Sequence, residues 1–137
     1  MGKAIIMHVE DAPYLNGEKR KPGEPMPRAS QLIGDLDKGP WIHINSIGPN
    51  GGAVPHTHSQ DEVIFILEGE LTMGARKCGP GTVVYIEKDT QYGFKVGPEG
   101  VRFLNVRPGL ATYTPVGGKE RDPYRKSAAS RMAQTSA

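Results

Sequence analysis

Turn-forming residues recur along the whole chain and leave room only for short segments between them. The sequence contains 18 glycines and 12 prolines, and they follow no fixed period. Glycine supplies positive φ and proline a fixed φ, and both are suited to tight chain reversals. A chain of 137 residues interrupted this often predicts one all-β domain of short strands rather than a bundle of long helices.

Short β-type runs lie between the turn signals at the spacing typical of sandwiches and barrels. The run 63–67 is apolar on both faces, as expected for a central strand that is covered on both sides. We therefore predict a single antiparallel β-barrel, which leaves few exposed edges. The predicted strands are 3–9, 41–47, 54–58, 62–67, 70–73, 82–86, 92–96, 101–107 and 111–116.

The predicted domain organisation has three parts. Residues 1–30 form an N-terminal strand and an irregular arm, residues 31–116 the barrel, and residues 117–137 a basic flexible tail. Residues 1–115 carry 12 Lys and Arg against 13 Asp and Glu, and the rest of the chain carries 5 against 2, so the positive excess lies in the tail. A short helix over 127–134 is compatible with the composition of that tail.

Composition and charge also bear on partners and compartment. A body of balanced charge lacks the focused basic face that binds nucleic acid, and no apolar run approaches the ~20 residues that cross a bilayer. Cys78 is the single cysteine, which excludes an internal disulfide. Because no histidine follows Cys78 to serve as a base, we interpret it as an incidental thiol next to a Gly-Pro-Gly turn rather than as a nucleophile. We expect a cytoplasmic protein that binds a small molecule, with no nucleic-acid or membrane partner.

His56, His58 and Glu62 form the most informative pattern in the chain. Residues two apart in a strand share a face and lie about 6.6 Å apart, so the two imidazoles can contact one ion. Three polar residues that can form a turn precede Glu62, which would return its carboxylate from the next strand. Nitrogen and oxygen ligands of this kind suit divalent Fe, Mn, Ni, Co or Zn and leave other coordination positions open. The alternative is a pair of surface histidines on an exposed strand.

The segment from His56 through His58 and Glu62 to Gly69 resembles the first signature of the cupin superfamily. Residues 79–86 resemble the start of the second signature, and 31–107 as a whole resembles one small cupin barrel. The resemblance implies a homodimer, with a metal bound inside the barrel by the two histidines, the glutamate and a histidine of the second signature. Tyr92 stands at that fourth position here, and no histidine follows His58.

Tyr92 is the predicted catalytic residue, and three roles are open to it. Its phenolate could bind the metal, its hydroxyl could act as a general acid or base, or its ring could form a cavity wall. His43 shares a predicted strand face with Trp41 and Asn45 and either lines the cavity or is a satisfied strand histidine.

Three other side chains outside the motif carry groups that could have a role. His8 is expected at the surface or in a dimer interface. Arg102 and Arg107 could bind a carboxylate substrate, although solvent-facing positions are expected for both.

Two functions follow from these features. The first is a metal-dependent enzyme of dioxygenase, isomerase or lyase type that acts on a small polar or carboxylate substrate. The second is a non-catalytic barrel that binds a sugar or small acid at a degenerate metal site. An interaction protein whose tail contacts a partner is a third, weaker interpretation.

Overall fold

The computed structural model describes residues 2–35 and 37–122. These residues form an all-β fold with no α-helix, as predicted, and one 3-10 turn, Val9–Asp11, precedes the first strand. Nine strands follow in chain order: β1 (Tyr14–Asn16), β2 (Ala29–Asp35), β3 (Lys38–Ile47), β4 (Gly52–His58), β5 (Glu62–Met73), β6 (Arg76–Cys78), β7 (Val83–Ile86), β8 (Tyr92–Arg107) and β9 (Tyr113–Pro115).

The long strand β8 holds the barrel together because it pairs along both of its edges. Its second half lies between β3 and the first half of β5, and its first half lies between β4 and the end of β5. The outer strands β1 and β2 extend the sheet beyond β3, β9 pairs with β4, and β6 and β7 pair with β5. Every pairing is antiparallel. The result is a single curled antiparallel sheet whose inner face encloses the core.

The apolar core lies between the two halves of β8 and the inward side chains of β5. Phe94 and Phe103, one from each half of β8, pack edge to face with ring centroids 6.1 Å apart, a favourable aromatic geometry. The prediction that residues 63–67 are covered on both faces was wrong. The outer face of β5 is partly open to solvent, since Phe65 is 38% exposed. The core cluster consists of Ile64, Ile66, Leu71, Cys78, Ile86, Phe94, Val96, Val101 and Phe103.

Several strand predictions were wrong in detail. Residues 3–8 form no strand, and Val9 begins the 3-10 turn instead. The predicted strands 62–67 and 70–73 are one strand, β5, and 92–96 and 101–107 are one strand, β8, because bulges absorb the intervening glycines without ending the pairing. Strands β1, β2 and β6 were not predicted.

The N-terminal arm is fastened to the outer face of the sheet. Gln31 donates through Nε2 to the carbonyl oxygens of Val9 at 2.8 Å and Ala12 at 3.0 Å. After β9 the chain turns back, and Arg121 exchanges two backbone hydrogen bonds with Tyr113. The remaining tail, including the predicted helix at 127–134, lies outside the described residues. No helix in the described part of the chain is long and apolar enough to span a membrane.

Candidate functional site

The two histidines of the predicted metal site lie side by side on β4 and point into the barrel, where both are buried. His56 Nδ1 lies 2.6 Å from the carbonyl oxygen of Val54, and His58 Nδ1 lies 2.8 Å from that of Thr112. A carbonyl oxygen can only accept a hydrogen bond, so each Nδ1 carries the ring proton. In the neutral imidazoles, both Nε2 atoms therefore present lone pairs.

Those two lone pairs converge, with the Nε2 atoms of His56 and His58 only 3.1 Å apart. Burial lowers the pKa of His56, and burial followed by the Arg107 cation lowers the pKa of His58 to about 4. Both rings are therefore neutral at neutral pH, and no proton lies between the two Nε2 atoms. Nitrogens bound to one ion at about 2.0–2.1 Å lie roughly 2.9 Å apart in octahedral and roughly 3.4 Å apart in tetrahedral geometry. The histidine pair fits a divalent metal ion.

Glu62 begins β5 and is buried beside the histidines. Its Oε1 accepts a short hydrogen bond from the Tyr92 hydroxyl, and its Oε2 accepts from Asn105 Nδ2 at 2.7 Å and Arg107 Nη2 at 2.9 Å. Burial alone would raise the pKa of this carboxyl, but the Arg107 cation, the Tyr92 and Asn105 hydrogen bonds and nearby His58 hold it below its ordinary value. Glu62 is thus an ionised carboxylate.

Arg107 ends β8 and is buried against Trp41, with the guanidinium carbon 5.7 Å from the ring centroid. Its Nη2 lies 3.3 Å from His58 Nε2 and 2.9 Å from Glu62 Oε2, so one nitrogen contacts both. Among residues 2–35 and 37–122, no three His, Cys, Asp or Glu side chains are grouped to hold one metal ion. The structure brings the predicted histidines together but places Arg107 between His58 and Glu62, and metal binding by all three stays a prediction.

Tyr92 begins β8 directly opposite His56, and the two rings lie 4.5 Å apart. Its hydroxyl donates to Glu62, which fixes the phenol at the wall of the site. On the other side of His56 the ring of Tyr113 stacks at 4.6 Å. His56 is therefore clamped between two aromatic rings, which restrict its rotation.

A cavity of about 480 Å³ opens from this cluster, a size typical of small-molecule sites. Polar side chains around Glu62 line one part of the cavity, and apolar side chains from β5 and β8 line another part. The lining residues include His56, His58, Glu62, Ile64, Tyr92, Phe94, Phe103, Asn105, Arg107 and Tyr113.

The remaining predicted candidates lie elsewhere. His43 is fully buried, where its Nδ1 accepts from Asn45 at 3.0 Å, and it is not part of the cavity lining. Arg102 binds Glu10 at 3.1 Å and Gln31 at 2.9 Å on the outer face, so it is neither fully solvated nor near the site. His8 is exposed and accepts from the backbone of Glu10. Cys78 is buried in the core.

Two residues of the site were missed or misjudged from the sequence. Asn105 was not predicted as a site residue. The solvent-facing position expected for Arg107 was wrong, since the Arg107 side chain is 3% exposed. Strand alternation contains the signal, because Asn105 and Arg107 share a face of β8 with the buried Val101 and Phe103. The hydrophilic character of the two side chains obscured it.

Known structures share this fold over most of the chain. The polyketide cyclase RemF from Streptomyces resistomycificus is 26% identical, with 90% of this chain and 91% of that chain covered and a TM-score of 0.64. An RmlC-like cupin protein from Ralstonia eutropha is 12% identical over 97% and 87% of the chains, with a TM-score of 0.68. KdgF from a Halomonas species is 13% identical over 77% and 94%, with a TM-score of 0.56.

No protein-family model and no curated protein matches the sequence. The likeness lies in the fold, since several of the structural neighbours are described as RmlC-like cupins or as having a cupin-like fold. The described residues therefore have a cupin-like fold, a single curled antiparallel barrel. This fold and these neighbours are compatible with an enzyme or with a binding protein.

Proposed function

We propose that this protein is an enzyme that binds one divalent transition-metal ion through the Nε2 atoms of His56 and His58. The observation that carries the proposal is that the two Nε2 atoms lie 3.1 Å apart and both present a lone pair. Each lone pair is on Nε2 because Nδ1 of the same ring donates its proton to a backbone carbonyl oxygen. When bound, such an ion polarises a carbonyl or enolate oxygen of the substrate. Iron, manganese, nickel, cobalt and zinc all suit these ligands.

Glu62 and Tyr92 are the groups that would manage protons beside the histidines. Glu62 is the proposed third ligand and also orients the Tyr92 hydroxyl by accepting its hydrogen bond. Tyr92 also lines the cavity, so its hydroxyl would turn from Glu62 to give its one proton to a substrate oxygen that gains negative charge. Tyr92 is therefore the proposed general acid.

The proposed substrate is a small molecule with several carbonyl groups, and the proposed reaction is an intramolecular ring closure. Support comes from the likeness to a polyketide cyclase over nine-tenths of both chains. In such a closure, the Glu62 carboxylate would take the proton from a carbon next to one carbonyl, and that carbon would bond to a second carbonyl carbon, whose oxygen would take the Tyr92 proton. The proton on Glu62 would then return to the Tyr92 oxygen along the hydrogen bond that joins the two side chains. Atoms are conserved, so the reaction is an isomerisation, one of the types that the cupin resemblance implied.

A non-catalytic binding barrel is the second candidate function. Two observations favour it: Tyr92 stands at the position of a fourth histidine ligand, and Arg107 contacts both His58 and Glu62. Such a protein would use the same cavity to hold a small acid or sugar without turnover.

Metal content tests the proposal directly. The purified protein, after incubation with Zn²⁺, Mn²⁺, Ni²⁺, Co²⁺ or Fe²⁺ and removal of free ions, is analysed by mass spectrometry for bound metal. We expect about one ion per chain in the wild type and in His8→Ala, a matched control at an exposed histidine, and none in the double variant His56→Ala with His58→Ala. A wild type that holds no more metal than the double variant would refute the proposal.

The reaction is tested with a linear synthetic triketide or tetraketide thioester and the metal-loaded protein. We expect a cyclic product of unchanged mass from the wild type and a much slower reaction from Tyr92→Phe, with equal metal content in both. Loss of metal from Tyr92→Phe would instead identify the phenol as a ligand. Metal binding without turnover of any such substrate would favour the binding barrel.

A further inference from the structure

We propose that Arg107 controls the metal affinity of the site by competing with the ion for His58 and Glu62. The inference rests on the proposed function, because it concerns the same ion. It is carried by one atom, Arg107 Nη2, which lies within hydrogen-bonding distance of both side chains.

The competition at His58 follows from the number of lone pairs. With Nδ1 donating to the Thr112 carbonyl, His58 has a single lone pair, on Nε2. That lone pair accepts from Arg107 at 3.3 Å, and it is the one that a metal ion would need. One lone pair cannot serve both cations, so the guanidinium must leave His58 when the ion binds.

The competition at Glu62 follows from its existing partners. Oε2 already accepts from Asn105 and Arg107, and Oε1 accepts from Tyr92. Exchange of the arginine for an ion would free a lone pair of Glu62 Oε2 while keeping a positive charge beside the carboxylate. Glu62 is almost fully buried, so it needs a cation in either state.

Arg107 thus has two opposite effects. Without metal it compensates the buried carboxylate and stabilises the fold. With metal it is a permanent positive charge next to a second cation. Removal of the guanidinium should therefore weaken the metal-free fold and strengthen metal binding.

The test compares Zn²⁺ affinity, measured by competition with a chelator, in the wild type and three variants. Arg107→Met removes the charge but keeps an apolar stem against Trp41. We expect binding to be roughly tenfold tighter or more, because no fixed positive charge then lies next to the ion. Arg107→Lys keeps the charge without the planar fork and should fall between Arg107→Met and the wild type. Arg102→Met, on the opposite face of β8, is the matched control and should equal the wild type.

A second measurement remains informative if Arg107→Met fails to fold. Trp41 is the single tryptophan of the chain and lies against the guanidinium, and Zn²⁺ does not itself quench indole fluorescence. Saturation with Zn²⁺ should change Trp41 emission in the wild type and in Arg102→Met, because the guanidinium moves.

The outcomes separate the two proposals. Wild-type protein that binds Zn²⁺ with no change in Trp41 emission, or Arg107→Met that binds no tighter than the wild type, overturns the role of Arg107 and leaves the metal site standing. Failure of the wild type and every variant to bind any of the five metals overturns both.

Discussion

His43 lies at the centre of β3 with no exposed surface, its ring edge against Trp41. Burial, with a further contribution from the Arg107 cation, lowers the pKa of His43 to about 3, whereas an unfolded histidine titrates near 6.5. Between pH 6.5 and 3, His43 is therefore protonated in the unfolded chain and neutral in the folded chain. The free energy of unfolding should fall as the pH drops through 6.5 and keep falling towards pH 3, by up to about 1.4 kcal/mol per pH unit for this residue.

Urea unfolding at pH 7, 6, 5 and 4 checks this expectation. His43→Gln cannot titrate and retains an acceptor for Asn45, so its stability should decline less steeply between pH 6 and 4 than that of the wild type. His8→Gln, at an exposed site, should leave the slope unchanged. Equal slopes for His43→Gln and the wild type would contradict the assignment.

The candidate site was partly predictable from residues close together in sequence. His56, His58 and Glu62 lie within seven positions, and strand alternation orients the two histidines. The residue that contributes most to keeping the Glu62 carboxylate ionised is Arg107, which lies 45 positions away in the sequence. Such a contact depends on the register between β5 and β8, which no local pattern specifies.

At the scale of elements, the antiparallel pairing of β5 with β8 depends on Gly69, which lies at a shift in their register. Its φ is +73°, and a Cβ there would lie 2.0 Å from the carbonyl oxygen of Gly100. Gly69→Ala should lower the free energy of unfolding by about 3 kcal/mol or more, because the left-handed backbone is strained and the two strands must separate.

Gly74 supplies a matched control for that prediction. It has a similar φ of +61°, but nothing lies within 4 Å of the position of a Cβ. Gly74→Ala should therefore cost only the backbone strain, about 1–2 kcal/mol. Urea unfolding of both variants measures the difference, and equal losses would show that the close approach to Gly100 does not limit the fold.

The strands differ in how far their sequences predict them. The core of β4 and of β7 was predicted because each is a short β-type run between clear turn signals. The segment 3–9 has comparable β-propensity, but it has no partner strand, and β-propensity without pairing does not make a strand. β6 was missed because Arg76 and Lys77 are exposed, and only Cys78 packs inward.

The whole molecule presents an uncovered apolar surface where β7 forms an edge of the sheet. Phe65 pairs with Val83 and Val63 with Tyr85, so the four side chains adjoin on the outer face. Val83 and Tyr85 are 61% and 63% exposed. An uncharged apolar patch is complementary to a copy of itself, as a two-fold interface requires. We propose that a second copy of the chain covers it.

Light scattering after size exclusion should therefore give twice 14.8 kDa for the wild type. Val83→Lys should give the single mass, because two like charges would meet across the two-fold axis. Val116→Lys places the same charge at a residue that is also 61% exposed but lies after β9, and it should remain dimeric. A monomeric wild type, or dimeric Val83→Lys, would contradict the proposed interface.

Cys78 is a buried free thiol, and its reactivity can therefore measure local opening of the barrel around it. Cys78 is the single cysteine of the sequence, and it ends β6 opposite Leu71, with its side chain in the core and 3% of the residue exposed. A reagent in solution can reach the sulfur only while the β5–β6 hairpin is detached. The rate of alkylation of the native protein therefore reports how often this corner of the barrel opens, with no label to engineer and no second thiol to confuse the signal.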